Sequence, residues 1–378
     1  MVKWLFQYGA AIFLFNTFLL AIKYTYTLGG GVFLGLLAIF SFVLLINPSQ
    51  IRYVVFNKAF RFFLLLNMIN IVYWLIFHSF TDYDAGKYLL ARGLQFTIIS
   101  FSIYYNLEYY KDKFLKHLAY IIFGIIVIGL VVNVNIISGR YSGIIWNPNQ
   151  LASFSVIGFS ILLLSHKKKT NFDYFLLLIF LIISLATGSR GVLVGIPLSF
   201  IFKFGFSVRN MLYALLASFT YLIIITIQLD TSLNRFSEQS MFNDRLLQYE
   251  YAIESIKQKP FVGYGLDKYS YIDNSLVPIF LKDKIVGAHN GFLALLTQYG
   301  IIFGGLILYI ILLRSYRVIS FFRNSSNYER VYFFIIIYTL ITALYESLIT
   351  GINEFQTILF WFSLAILSYS KFNHENAN

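Results

Sequence analysis

The sequence predicts an all-α, polytopic membrane protein with about twelve transmembrane helices. Two observations predict it. Hydrophobic residues make up 58% of the 378, charged residues only 12%, and the mean hydropathy is +0.72, whereas soluble domains carry about 25% charged residues. Apolar runs of roughly 17–25 residues also recur along the chain, each long enough to cross a hydrocarbon core of about 30 Å. Lipid leaves backbone polar groups unsatisfied, so such runs must be helices or closed barrels. The runs show no strict apolar/polar alternation, which argues against a barrel.

The expected spans are 4–22, 28–46, 62–80, 89–107, 118–136, 149–165, 174–188, 191–205, 211–228, 288–312, 331–349 and 357–370. The first could pass for a signal peptide, but it lacks a small-residue cleavage site and many spans follow, so it reads as a retained helix. Residues 1–378 thus form a single transmembrane domain. Its one large polar insertion is residues 229–287, between spans 9 and 10, partly helical at about 243–258.

Basic residues orient the spans. One face collects Lys111, Lys113 and Lys116, then Lys167-Lys168-Lys169, then Arg314, Arg317, Arg323 and Arg330. The short loops of the other face hold mainly Lys23, Lys87, Arg92, Arg140 and Arg190. Short loops decide orientation by the positive-inside rule, so both termini are expected in the cytoplasm and the long loop outside. This bias accounts for the net charge of +12 without nucleic acid as a partner. The long loop has seven basic residues against eight acidic ones, so an anion site there must depend on particular arginines.

The absence of cysteine excludes disulfides, thiol nucleophiles and cysteine-ligated metal. Five histidines, at 78, 117, 166, 289 and 374, include no pair at metal-ligand spacing. No phosphate-binding loop, dinucleotide fingerprint or zinc signature is present, and no carboxylates are paired for glycosidase chemistry. No metal or cofactor is expected.

Four external elements stand out. Gly139-Arg140-Tyr141-Ser142-Gly143 leads to Asn147-Pro148-Asn149 at the mouth of the sixth span. Asn147 and Pro148 read as a helix cap and first turn, which leaves Arg140 unexplained. Gly188-Ser189-Arg190-Gly191 places an arginine between two apolar runs. It either snorkels or faces a polar cavity, and its flanking glycines let backbone approach a bulky ligand. In the long loop, Asn243-Asp244-Arg245 opens a segment with Leu246, Tyr249, Ala252, Ile253 and Ile256 at helical spacing, an amphipathic helix on the membrane face. Lys259-Pro260 ends it, with Gly263-Tyr264-Gly265 as a following turn. Arg245 in a first turn opposes the helix dipole, so a functional reason for it is expected.

The fourth element is Ala288-His289-Asn290-Gly291. The other four histidines read as structural. His289 differs because it begins a membrane helix beside the large loop. The helix dipole there disfavours imidazolium, leaving a ring able to accept a proton. Arg92, Glu346 and Glu354 also sit near external helix ends, where each either lines a cavity or snorkels.

Together these elements resemble the O-antigen ligase and O-antigen polymerase family of bacterial membrane glycosyltransferases. The residues that carry the resemblance are Arg140-x-x-Gly143 with Asn147-Pro148-Asn149, then Ser189-Arg190-Gly191, then Arg245 leading to Pro260-Phe261-Val262-Gly263-Tyr264-Gly265. Last come Ala288-His289-Asn290-Gly291-Phe292 and Gly300-Ile301-Ile302-Phe303-Gly304. The match covers roughly residues 130–310. It implies a glycosyltransferase C-like fold in the bacterial cytoplasmic (inner) membrane, with the site on the extracytoplasmic side. It implies an undecaprenyl-pyrophosphate-linked oligosaccharide donor, a glycan acceptor, and other polysaccharide-assembly membrane proteins as partners. It further implies metal-independent, inverting transfer. His289 is then the general base, with Arg190 and Arg245 catalytic at the pyrophosphate and Arg140 and Asn290 beside them in binding. Arg92, Tyr264, Glu346, Glu354, Asn147 and Asn149 are candidates for the cavity lining.

The acceptor names the activity. A polymerase of O-antigen or capsular repeat units uses another lipid-linked glycan; a ligase of lipopolysaccharide assembly uses lipid A core or another surface acceptor. Polymerase is the favoured expectation. A transporter or flippase for lipid-linked glycans is disfavoured, because transporters place ionisable groups near the bilayer midplane in repeated halves, and these candidates gather at the external edge.

Overall fold

The computed structural model describes residues 2–377 except 138, 166, 206, 208, 211–242, 284, 286 and 326. The described chain is built of helices, with one isolated bridge between Ile22 and Ile145 and no strand among the described residues. In order these are α1 (Val2–Ala21), α2 (Tyr26–Leu45), α3 (Pro48–Val55), α4 (Arg61–Phe77), α5 (Tyr83–Asp112), α6 (Phe114–Val132) and α7 (Pro148–Leu164). They continue as α8 (Asn171–Ala186), α9 (Arg190–Phe204), α10 (Asn243–Gln258), α11 (Gly291–Phe322), α12 (Glu329–Thr342) and α13 (Phe355–Ala377).

Five stretches are long and apolar enough to cross a membrane: Val2–Ala21, Tyr26–Leu45, Lys58–Phe77, Phe114–Val132 and Gly291–Phe322. Helices α7 and α8 are apolar but shorter. The protein is therefore a helical membrane protein. Apart from 211–228, each expected span coincides with a helix. That span, the 229–242 part of the long loop and His166 lie outside the described residues. Several expected boundaries move, those at the ends of α4 and α12 among them. Helix α4 ends at Phe77, and α12 stops at Thr342, which puts Glu346 in the turn between α12 and α13 rather than in a span.

Helix α13 lies at the centre, packed against α1, α5, α11 and α12. Ile358, Leu359, Phe360, Trp361, Phe362, Leu364 and Leu367 are all buried, as a helix apolar all round must be. A second packing group joins α7 to α6, α8 and α9. Under the long loop sits a separate small core of Ala252, Ile272, Val277, Ile285, Ala288 and Ala294, which seats α10 on the start of α11.

The glycine motifs have a physical reason. Helix α11 breaks at Gly300, whose φ is +72°, a conformation cheap only for glycine. The break frees backbone groups that an unbroken helix would pair and that cannot stay buried without partners. The loop turn supplies their partners: Tyr264 N donates to the Thr297 carbonyl at 2.9 Å and Gly265 N to the Gln298 carbonyl at 3.0 Å. In return Ile301 N donates to the Pro260 carbonyl at 2.6 Å. Gly263 and Gly300 are interlocked so closely that a Cβ at Gly263 would lie 2.5 Å from the Gln298 oxygen, and one at Gly300 would lie 2.4 Å from the Phe261 oxygen.

His78 completes this staple. Its Nε2 accepts from Leu266 N at 3.1 Å, which leaves Nδ1–H to donate to Asp82 Oδ2 at 2.6 Å. The Asp82 carboxyl is held below the usual range by the Ala85 amide and by His78. His78 thus has a structural role. His117 stands 3.4 Å from the Tyr109 hydroxyl, and His374 rests near the Phe321 and Phe322 rings.

Candidate active site

Four segments meet at one end of the bundle. Residues 139–147 lead into α7 and are tied to two helix ends, through Tyr141 N to the Ala186 carbonyl at 3.0 Å and Trp146 N to the Ala21 carbonyl at 3.0 Å. Asn147 caps α7, its side-chain oxygen accepting from Asn149 N at 2.9 Å, with Pro148 in the first turn. This anchoring sets Arg140, whose Nε donates to the Thr187 carbonyl at 3.2 Å and whose Nη2 donates to Asn149 Oδ1.

Thr187 ends α8, Gly188 turns the chain with φ +59°, and Ser189 leads into α9. Arg190 is the first residue of α9 and is half-buried. A cation is disfavoured by the dipole at that end.

Asn290 caps α11 by accepting from Phe292 N and Leu293 N at 2.9 and 3.0 Å. Its Nδ2 donates to the Leu344 carbonyl at 2.9 Å, and Tyr249 of α10 donates to the same carbonyl at 2.7 Å. Gly291 N donates to the Ala343 carbonyl at 2.7 Å. The α12–α13 turn is therefore locked onto the start of α11 and onto α10. His289, just ahead of the cap, has φ +39°, a left-handed backbone that is uncommon for a residue with a side chain. Strain of this kind, of order 1–3 kcal/mol, persists where surrounding structure enforces it.

Glu346 is the hub. Its Oε1 accepts from Arg245 Nη2 at 3.0 Å and from Asn149 Nδ2 at 3.2 Å, and its Oε2 lies 3.7 Å from His289 Nδ1. His289 Nδ1 and Arg245 Nη1 are buried with no hydrogen-bond partner among the described residues. Burial raises the Glu346 pKa, but His289 and Arg245 outweigh it and hold the carboxyl below the ordinary glutamate range. The Arg245 guanidinium also rests over the Tyr345 ring, 5.7 Å from its centroid.

A cavity of about 380 Å³ opens beside this hub. Its walls include Asn147, Asn149, Ser153, Ser189, Gly191, Tyr345, Glu346, Glu354 and Gln356. Glu354 takes a hydrogen bond from Thr357 Oγ1 at 2.8 Å, and burial pushes its carboxyl up to about 7. Two carboxyls on one wall thus have opposed proton affinities, one beside Arg245 and His289 and one with no cation beside it among the described residues.

The structure brings Arg140, Asn149, Arg245, His289 and Asn290 onto the segment around Glu346, with Arg190 one residue from the cavity residues Ser189 and Gly191. Asn147, Asn149, Glu346 and Glu354 line the cavity. Two candidates do not. Tyr264 belongs to the staple, its hydroxyl donating to Asp273 Oδ2 at 3.0 Å. Arg92 is buried, 3% exposed, and neither snorkels nor lines that cavity. Its Nη2 instead lies 2.5 Å from the Thr350 carbonyl and 3.1 Å from that of Gly351, while Nη1 donates to Gln95 at 2.8 Å. It anchors the α12–α13 turn from below. Tyr345, Ser153 and Gln356 were not expected at the site; Glu346, Ser347, Thr350, Asn353 and Glu354, which lie between Tyr345 and Gln356, are the signal for those two, and Ser153, inside an apolar helix, has none.

No curated protein matches the chain. The family model described as O-Antigen ligase matches residues 175–310, a segment that holds Arg190, Arg245, Gly263, His289 and Gly300, in agreement with the resemblance of its motifs.

Proposed function

We propose that the protein is a polymerase of O-antigen or capsular repeat units, working at the outer face of the bacterial inner membrane with both termini in the cytoplasm. It transfers a glycan from undecaprenyl pyrophosphate to a hydroxyl of another lipid-linked glycan. The observation that carries this reading is the pairing of Arg245 and His289 on the two oxygens of Glu346. A guanidinium suited to phosphate and a ring suited to a hydroxyl proton stand on one carboxylate.

In this reading the acceptor oxygen attacks the anomeric carbon as the bond from that carbon to the pyrophosphate oxygen breaks, with inversion. His289 takes the hydroxyl proton through Nε2, while Glu346 opposite Nδ1 stabilises the imidazolium that forms. Arg245 presents its unpartnered Nη1 to the pyrophosphate, since guanidinium forks match phosphate oxygens. Arg190 and Arg140 add charge from neighbouring loops, and Asn290 fixes the turn that carries Glu346. Stabilising the departing pyrophosphate is the largest contribution expected of the site. No divalent metal is called upon.

The description of the matching family favours one second reading, a ligase that delivers the glycan to lipid A core or another surface acceptor. Purified protein incubated with a carrier-linked repeat unit separates the two. Long chains mean a polymerase, and transfer only to an added acceptor means a ligase. Movement of the lipid without transfer would refute both in favour of a transporter.

A further inference from the structure

The cavity beside Glu346 has a charge pattern that bears on which sugar it takes. Among the described residues no lysine, arginine or histidine lines it, whereas two carboxyls do. Glu346 is matched by Arg245. Among the described residues Glu354 has no cation beside it: Thr357 donates to its Oε2, and Oε1 accepts no hydrogen bond. The Tyr345 hydroxyl on the same wall is buried and has no hydrogen-bond partner among the described residues. Tyr26 and Tyr269 stand at the edge of the cavity, each more than half exposed. Its volume lies within the roughly 300–1,000 Å³ of small-molecule sites, where a few placed polar groups set specificity.

This composition suits a pyranose. Tyrosines give amphipathic surface for the apolar face of a ring, and an unpaired carboxyl and phenol take hydroxyl groups. It does not suit a carboxylate, which would enter beside two carboxyls with no cation on the wall. Burying an unpaired charge is costly, and like charges in one site oppose each other. Resting on the glycosyl-transfer reading above, we propose that this cavity holds a sugar residue of the glycan substrate and that the sugar is neutral or amino-bearing, never a uronic acid. Glu354 accepts from its hydroxyl or ammonium group, and the Tyr345 hydroxyl donates to a ring substituent.

The test needs binding and no turnover, so its failure is separable from failure of the transfer reading. Saturation-transfer NMR on the purified full chain in detergent would use methyl β-glucoside, methyl β-glucosaminide and methyl β-glucuronide as probes. The first two should bind and compete with each other, the glucosaminide more tightly because its ammonium meets Glu354. The glucuronide should be weaker by about tenfold or more, the factor expected for losing one charged hydrogen bond. Ser153→Trp, which fills the cavity, should abolish binding of both. Glu354→Gln, nearly isosteric, should remove the preference for glucosaminide over glucoside while its melting curve shows the chain folded. Glucuronide binding as tight as the others, no binding of any probe, or binding unchanged in Ser153→Trp would each overturn the proposal.

Discussion

Arg245 donates from Nη2 to Glu346 Oε1 across 3.0 Å, joining the first turn of α10 to the α12–α13 turn 101 residues later. Both side chains are only a fifth to a quarter exposed, so the pair is more than a surface contact. Glu346→Gln keeps the shape and removes the charge. The thermal midpoint should fall by an amount equivalent to roughly 1–2 kcal/mol after solvent screening. Transfer should fall further, because the same change takes the counter-charge from His289. A variant that melts like the wild type and transfers normally would contradict the hub assignment.

Glu354 makes stability depend on pH. Its carboxyl is pushed from 4.5 up to about 7 by burial. Between those values the folded chain holds a proton that the unfolded chain has lost, so stability falls as pH rises through that window. Glu354→Gln removes this dependence and should flatten the slope of melting temperature against pH between about 4.5 and 7, an effect of at most a few kcal/mol. A slope unchanged in the variant would assign the dependence to another group.

The interlock of Gly263 with Gly300 leaves no room for a side chain. Gly300→Ala sets a Cβ 2.4 Å from the Phe261 oxygen at φ +72°. The expected cost exceeds the 1–3 kcal/mol of backbone strain alone, and it should appear as a large fall in melting temperature or as loss of folded protein. Gly305→Ala, on the same helix with nothing within 4 Å of its Cβ, should melt like the wild type.

Arg92 presents the reverse case of a charge that acts through the backbone it holds. Arg92→Ala leaves the Gly351 carbonyl without its donor, while the Thr350 carbonyl keeps the Tyr88 hydroxyl at 3.1 Å, and a buried group left unpaired costs about 1–3 kcal/mol. The melting temperature should drop by several degrees, and transfer should drop with it because Glu346 and Glu354 ride on this turn. Arg92→Lys, which offers a single point of charge in place of a fork, should restore only part of both.

Much of this was legible in the chain. Hydropathy located the helices because lipid and buried core both select apolar runs, and the glycine spacing pointed to the Gly263–Tyr264–Gly265 turn, although its partner at Gly300 is a matter of tertiary contact. Arg245 announced itself by opposing the helix dipole. Glu346, Glu354 and Arg92 looked alike in sequence, as ionisable groups near helix ends. They diverge only through what the fold sets beside them: an arginine and a histidine, a lone threonine, and a row of carbonyls. The stopping point of α12 at Thr342 was equally hidden, since residues 343–349 are apolar enough to continue a span and leave it only because Gly291 N and Asn290 take the Ala343 and Leu344 carbonyls.

The central claim is that His289 accepts the proton of the attacking hydroxyl, opposite an arginine that holds the leaving pyrophosphate. The most direct measurement is glycan chain formation from a carrier-linked repeat unit by purified wild-type, His289→Ala and Arg245→Ala proteins, each shown folded at the assay temperature by its melting curve. Wild type should give long chains, with each variant slower by about 10²–10³-fold. Chains of wild-type length and rate from the His289→Ala protein would contradict the account.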